Sequence, residues 1–127
     1  MTDEEKIREL LALYCQHLDD GKVATWSGLV AERAVFLSAR GTFRSRKAIQ
    51  TFFSGPKSPA GKAKHLCSNI AIRLEGDTAR CTADFAAFRV GEDGTLNVAA
   101  IGRYKDELVK EGRRWLFKRR DVIQKKK

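Results

Sequence analysis

Residues that break or cross-link a chain are scarce here: 127 residues contain two prolines, one methionine and three cysteines. With so little proline and no biased run, wholesale disorder and the fibrous classes are excluded. Cys15, Cys67 and Cys81 are odd in number and form no CxxC pair. Neither a disulfide framework nor a zinc site is expected from them, and each reads as a small buried hydrophobe. Long apolar runs are also missing. None approaches the roughly 20 residues of a membrane span. The opening residues mix acidic and basic side chains instead of placing a basic patch before an apolar segment, so no secretory signal is expected and a cytoplasmic setting is the default. A phosphate-cradling glycine loop, an HxxxH pair and clustered acidic ligands are all lacking, so neither a metal nor any other cofactor is expected.

What the chain does have is charge, with 25 basic against 16 acidic residues. The excess sits in two blocks: residues 35 to 64 carry 7 basic and no acidic side chains, and residues 103 to 127 carry 11 and 4. A nucleic-acid binder would join such blocks to stacking aromatics or a groove-entering helix, and neither is present. Only weak, sequence-independent contact with nucleic acid is expected. Blocks that meet at a cavity mouth would instead draw in an anionic ligand. The length fits one compact domain, read as 1–124 with a basic tail at 125–127.

Thr2 and Glu5 match a capping box, and Ile7, Leu10, Leu11, Tyr14 and Leu18 follow at helical spacing to a stop at Gly21. A short helix over about 23 to 31, with Trp26 inward, leads to a strand at Val35 to Ser38. Gly41 marks a turn, and Ser45 caps a third helix carrying Ile49, Phe52 and Phe53. The period then changes to two. Four antiparallel strands are expected at 65–74, 78–90, 95–108 and 113–123, joined by turns of hairpin composition. Three helices before a meander give an α+β class, in which a sheet curled around the helices encloses a cone suited to a small molecule.

This order of elements, with "LLALYCQHLDDG" (Leu10 to Gly21), "GTFRSRKAIQTFF" (Gly41 to Phe53), "KHLCSNIAIRLEGDTA" (Lys64 to Ala79) and "GRYKDELVKEGRRWLFKRRDV" (Gly102 to Val122), resembles the NTF2-like superfamily, in its SnoaL-like and scytalone-dehydratase-like branch. The resemblance implies a catalytic pair, an aspartate ending the first helix and a histidine opening the first long strand, which here match Asp19 and His65. It also places Tyr14 as a hydrogen-bond donor in the pocket. By periodicity alone Asp19 lies about 100° off the apolar stripe and would face solvent, whereas His17 and Asp20 fall beside the motif and read as surface residues. The implied activity is a lyase or isomerase of the dehydratase type acting on an apolar, oxygenated substrate. The alternative is a non-catalytic binding or interaction domain of the same fold.

One departure stands out. The second histidine of scytalone dehydratase falls at Ile101 in this chain, which puts a two-histidine mechanism in doubt. Alternation places Ile101, Asn97 and Ala99 on one wall of the pocket and aligns Arg119 with Trp115 and Phe117, so that Arg119 either faces inward to serve a leaving anion or a substrate carboxylate, or forms an ion pair with Asp121 or Asp84. Phe85 and Trp26 complete the expected substrate-binding set. The opposite face, with Gly102, Tyr104, Leu96 and Val98, is expected to be an apolar exterior that pairs two copies of the chain into a homodimer.

Overall fold

In the computed structural model, which describes residues 1–126, the capping box is formed: Glu5 N–H donates to Thr2 Oγ1 at 3.1 Å and Thr2 N–H to Glu5 Oε1 at 3.4 Å. It starts α1 (Asp3–Asp19), which buries Ile7, Leu10, Leu11, Tyr14, Cys15 and Leu18. A box of this kind contributes about 1 kcal/mol. The N-terminus of α1 is then fastened to the sheet, because Asp3 accepts a hydrogen bond from Trp115 Nε1 at 3.0 Å and pairs with Lys110 at 3.1 Å.

The second helix is shorter than the sequence suggests. α2 covers Val23–Ser27 only, and the chain becomes strand β1 (Val30–Ser38) already at Val30. The reason is tertiary: Phe117 N–H donates to Leu29 O at 3.0 Å, drawing the segment into a parallel ladder that no local signal announces. Gly41, at φ 136°, makes the expected turn, and the residues after it form a strand the sequence reading missed, β2 (Gly41–Arg44), paired back onto β1. Ser45 accepts from Ala48 N–H at 3.1 Å and opens α3 (Arg46–Phe53).

Four long strands follow: β3 (Lys64–Glu75), β4 (Thr78–Val90), β5 (Leu96–Glu111) and β6 (Arg114–Gln124). The six strands form one curled sheet in the order β2-β1-β6-β5-β4-β3, antiparallel except for β1 against β6. The α+β class is therefore as expected, with two strands more than the meander. The helices cross the concave face, where Ile7, Leu11, Trp26, Ile49, Leu108 and Phe117 are almost wholly buried. No described helix is long and apolar enough to cross a membrane. Of the expected basic tail, Lys125 still donates its N–H to Ile101 O at 2.7 Å, and Lys127 lies outside the described residues.

Two bulges decide which side chains face the concave side. In β6, Phe117 is opposite Leu108 and Arg119 opposite Glu107, so Lys118 has no cross-strand partner. In β5, Ala100 is opposite Ala87 and Val98 opposite Phe88, which leaves Ala99 over. An extra residue reverses the in-and-out alternation beyond it.

Candidate functional site

Asp19 is the last residue of α1 and His65 the second of β3. The loop between α3 and β3 brings them together. Gly61 N–H donates to Leu18 O at 2.9 Å, and an added Cβ on Gly21 would lie 3.6 Å from the Gly61 Cα. Both glycines have φ near +70°, a conformation that side chains disfavour. The chain that leaves this crossing enters β3 beside the end of α1. There Asp19 Oδ1 lies 2.6 Å from His65 Nδ1, and Oδ2 accepts the His65 backbone N–H at 2.9 Å. Lys64 Nζ stands 3.7 Å from the same oxygen.

Asp19 is far from the solvent-facing residue that its helical angle suggests, with a side chain only 6% exposed. It sits one turn after Cys15, which is also buried, so the inward stripe of α1 is wide enough to include it on the edge that meets β3. A carboxylate only accepts hydrogen bonds, so the His65 proton belongs on Nδ1 and the lone pair on Nε2.

His65 stands on the wall of a cavity of about 360 Å³ between the helices and the sheet, together with Tyr14, Leu18, Phe36 and Phe53. The wall rises in cross-strand levels. Tyr104 is opposite Ala83, Gly102 opposite Phe85, Ala100 opposite Ala87 and Asn97 opposite Arg89, with His65 opposite Ala87 on the other side. Around the histidine the neighbours are small, which is what leaves the space. Gly102 is required where it stands: an added Cβ would meet Ile123 O at 2.1 Å and the Phe85 ring at 2.9 Å. Its absence lets Phe85 stack on Tyr104, ring centroids 4.5 Å apart.

The remaining expected residues divide. Phe85 and Asn97 line the cavity. Ile101 does not, because the bulge at Ala99 turns it to the convex face, where it is 47% exposed. Position 101 therefore has no bearing on the wall, and the inward residues on either side, Ala100 and Gly102, carry no proton. Trp26 is core: fully buried outside the cavity lining, it packs on Phe53 and Tyr14 at 4.4 and 5.4 Å. Arg119 is also displaced. The bulge at Lys118 turns it outward into an ion pair with Asp121 at 2.9 Å and puts Arg120 inside.

Arg120 was missed by the sequence reading. It lies beneath the cavity floor, its Nε and Nη2 donating to Asp106 at 2.7 and 2.8 Å, and its Cζ stands 3.6 Å from the Tyr104 ring centroid and 4.2 Å from that of Tyr14. Burial alone would lower the Arg120 pKa, but Asp106 more than offsets it and the group stays charged. Burial pushes Tyr14 well above the ordinary phenol range, with Arg120 opposing only in part, so Tyr14 faces the cavity as a neutral donor. The signal available in the sequence was Asp106, an acid alternating with Tyr104 and Leu108 on an inward face and so in need of a buried cation.

The cysteines are free, with Cys15 and Cys81 buried. The Cys15 thiol is pushed up, first by its hydrogen bond with Cys67 and then by burial, and burial raises Cys81 to about 12. Among the described residues no three His, Cys, Asp or Glu side chains are grouped as metal ligands would be.

A family model described as the SnoaL-like domain matches residues 1–121. The chain belongs to the SnoaL-like domain family. The fold of this SnoaL-like chain is also that of solved proteins. A Mycobacterium tuberculosis protein of unknown function, Rv3472, solved as an aspartate-to-asparagine variant, superposes with a TM-score of 0.89 at 20% identity, covering 98% of this chain and 73% of that one. An NTF2-like protein with a cystatin-like fold from Novosphingobium aromaticivorans gives 0.86 at 26% identity over 94% and 80%. A candidate scytalone dehydratase from the same organism gives 0.82 at 21% identity over 98% and 85%. No curated protein sequence matches the chain.

Proposed function

We propose that this SnoaL-like domain is a lyase or isomerase in which His65 Nε2 takes a proton from a carbon of an apolar, oxygenated substrate. The reading rests chiefly on one observation: Asp19 and His65 are joined at 2.6 Å on the wall of an open cavity. Phe85 stops at the floor, and Phe88, opposite Val98, does not line the cavity, so neither plugs the space. Asp19 fixes the tautomer and favours the imidazolium that forms, while neutral Tyr14 donates to the oxygen that gains charge as the carbanion or enolate develops. Phe85 and Asn97 contact the substrate body. Candidate substrates are hydroxylated aromatic, steroid-like and polyketide compounds. Screened in deuterated water, a true substrate either exchanges one carbon-bound hydrogen, when the carbanion is reprotonated, or loses it with a neighbouring hydroxyl that departs as water, in both cases at a rate that falls about 100-fold in His65→Ala.

The alternative, a binder without catalysis, is favoured by the small apolar neighbours of His65, Ala87 and Ala100, which offer no second proton carrier. It predicts tight binding with neither exchange nor elimination. The homodimer belongs to the same proposal, on a corrected face. Gly102 and Tyr104 point inward, whereas Leu96 and Val98 are exposed as expected, and the exposed apolar side chains of the convex face also include Leu66, Ile101 and Ile123, with Leu66 and Ile101 flanking Ala86 in one cross-strand row. Light scattering that shows a monomer at micromolar concentration removes the dimer.

A further inference from the structure

We propose that the mouth of the cavity is a carboxylate clamp formed by Arg89 and Arg40, which selects substrates that are apolar acids. The proposal deepens the reading above by naming the substrate class, and its binding test does not depend on catalysis. Both arginines line the cavity, and the lining contains no aspartate or glutamate at all. Among the described residues neither arginine is in an ion pair. Asp93, in the nearby β4–β5 turn, is occupied by the Thr95 N–H at 2.9 Å. Arg40 is held in place by its Nη1 bond to Lys57 O at 2.8 Å, which leaves its other donors free.

The strand register fixes the height of the clamp. His65 is opposite Ala87, and Arg89 is two residues further along β4 on the same face, beside Asn97. Two residues of strand rise about 7 Å. An acid held at Arg89 therefore presents to His65 a carbon about one ring away from its carboxylate. The body between them lies against Phe36, Phe52 and Ala87, which are apolar, and a guanidinium fork matches a planar carboxylate. The expected meeting of the two basic blocks at the mouth is only half realised. Arg40 comes from the first block, whereas Arg89 comes from the acidic stretch between the blocks and the buried Arg120 stays beneath the floor.

The test is calorimetric titration with 2-naphthoate, 2-naphthalenemethanol and 2-naphthyl phosphate, which share one bicyclic body. The full chain should bind the carboxylate about tenfold more tightly than the alcohol, a difference of about 1.4 kcal/mol. Arg40→Gln with Arg89→Gln should abolish that preference and leave the alcohol unchanged. Arg33→Gln with Arg113→Gln, which removes the same charge outside the cavity lining, should preserve it. Equal wild-type affinity for acid and alcohol overturns the proposal, as does equal loss in both double variants; tighter binding of the phosphate overturns the choice of a carboxylate. His65→Ala should keep the preference, so a failed base and a failed clamp are told apart. Should the clamp variant not fold, the wild-type ratio and its decline toward 0.5 M salt still decide, because screening then acts within about 5 Å.

Discussion

Two carboxylate-centred pairs frame the cavity, one beneath its floor and one on its wall, and they differ in what surrounds them. Asp106 and Arg120 lie beneath the floor with side chains 0% and 2% exposed, closed in by Tyr14, Tyr104 and Phe117. Asp19 and His65 lie on the wall, with Lys64 at the solvent edge and the cavity in front of the ring. The first pair has no proton to give, since a guanidinium does not deprotonate, so its charge can only orient its neighbours and hold two strands in register. The second has a nitrogen that can lose or gain a proton and a space where a substrate can lie. Similar geometry thus serves support beneath the floor and chemistry on the wall, and the difference comes from access and from the choice of arginine or histidine.

The floor is where a substitution should cost most. Asp106→Ala strands a buried guanidinium and should destabilise the fold by about 3–5 kcal/mol in denaturant unfolding, whereas replacing both partners, Asp106→Leu with Arg120→Met, should recover most of that loss. If the double variant were no better than the single one, the floor pair would not be a closed unit. On the wall the order reverses. Asp19→Asn or His65→Ala should lower turnover by about 100-fold or more while shifting the unfolding midpoint far less than Asp106→Ala does.

The fold was legible largely because its signals are local. The capping box, the apolar stripe of α1 and the period-two strands each occupy a few consecutive residues, and the structure has those elements within a few residues of their expected ends. What escaped depends on distant pairing. The parallel ladder that converts residues 30 and 31 to strand needs β6, and the bulges at Ala99 and Lys118 appear only when two strands are laid side by side. Strict alternation therefore misplaced Ile101 and Arg119 and concealed Arg120. The Asp19 and His65 positions came from the family resemblance, because periodicity points Asp19 to solvent and the loop that covers it carries no pattern of its own.

A smaller effect concerns the tyrosines that pack on Arg120. Tyr14 and Tyr104 are the only tyrosines, and burial raises both pKa values above the usual 10. Their contribution to stability is complete below pH 10, where the unfolded chain also keeps its protons, and is lost as pH rises further, by about tenfold in the unfolding equilibrium per unit and per tyrosine. The native protein at pH 10.5 should show almost no tyrosinate absorbance, and denaturant should release it. Appreciable tyrosinate signal in the folded protein would mean that water reaches the floor. Gly102→Ala should cost about 1–3 kcal/mol, since its Cβ has no room beside Ile123 O. Least of all, Arg119→Ala should change stability by no more than about 0.5 kcal/mol and leave turnover intact, because the side chain is 42% exposed on the convex face.

The central claim is that His65 presents an unprotonated Nε2 to the cavity because Asp19 holds the proton on Nδ1. Nitrogen-15 NMR of the two histidine rings, assigned with His17→Gln and recorded at a pH where both are neutral, reads this directly. The account predicts a protonated Nδ1 and a bare Nε2 for His65 in the native protein, with the tautomers mixing in Asp19→Asn. A His65 ring protonated on Nε2, or one whose tautomer ignores the loss of Asp19, would contradict it.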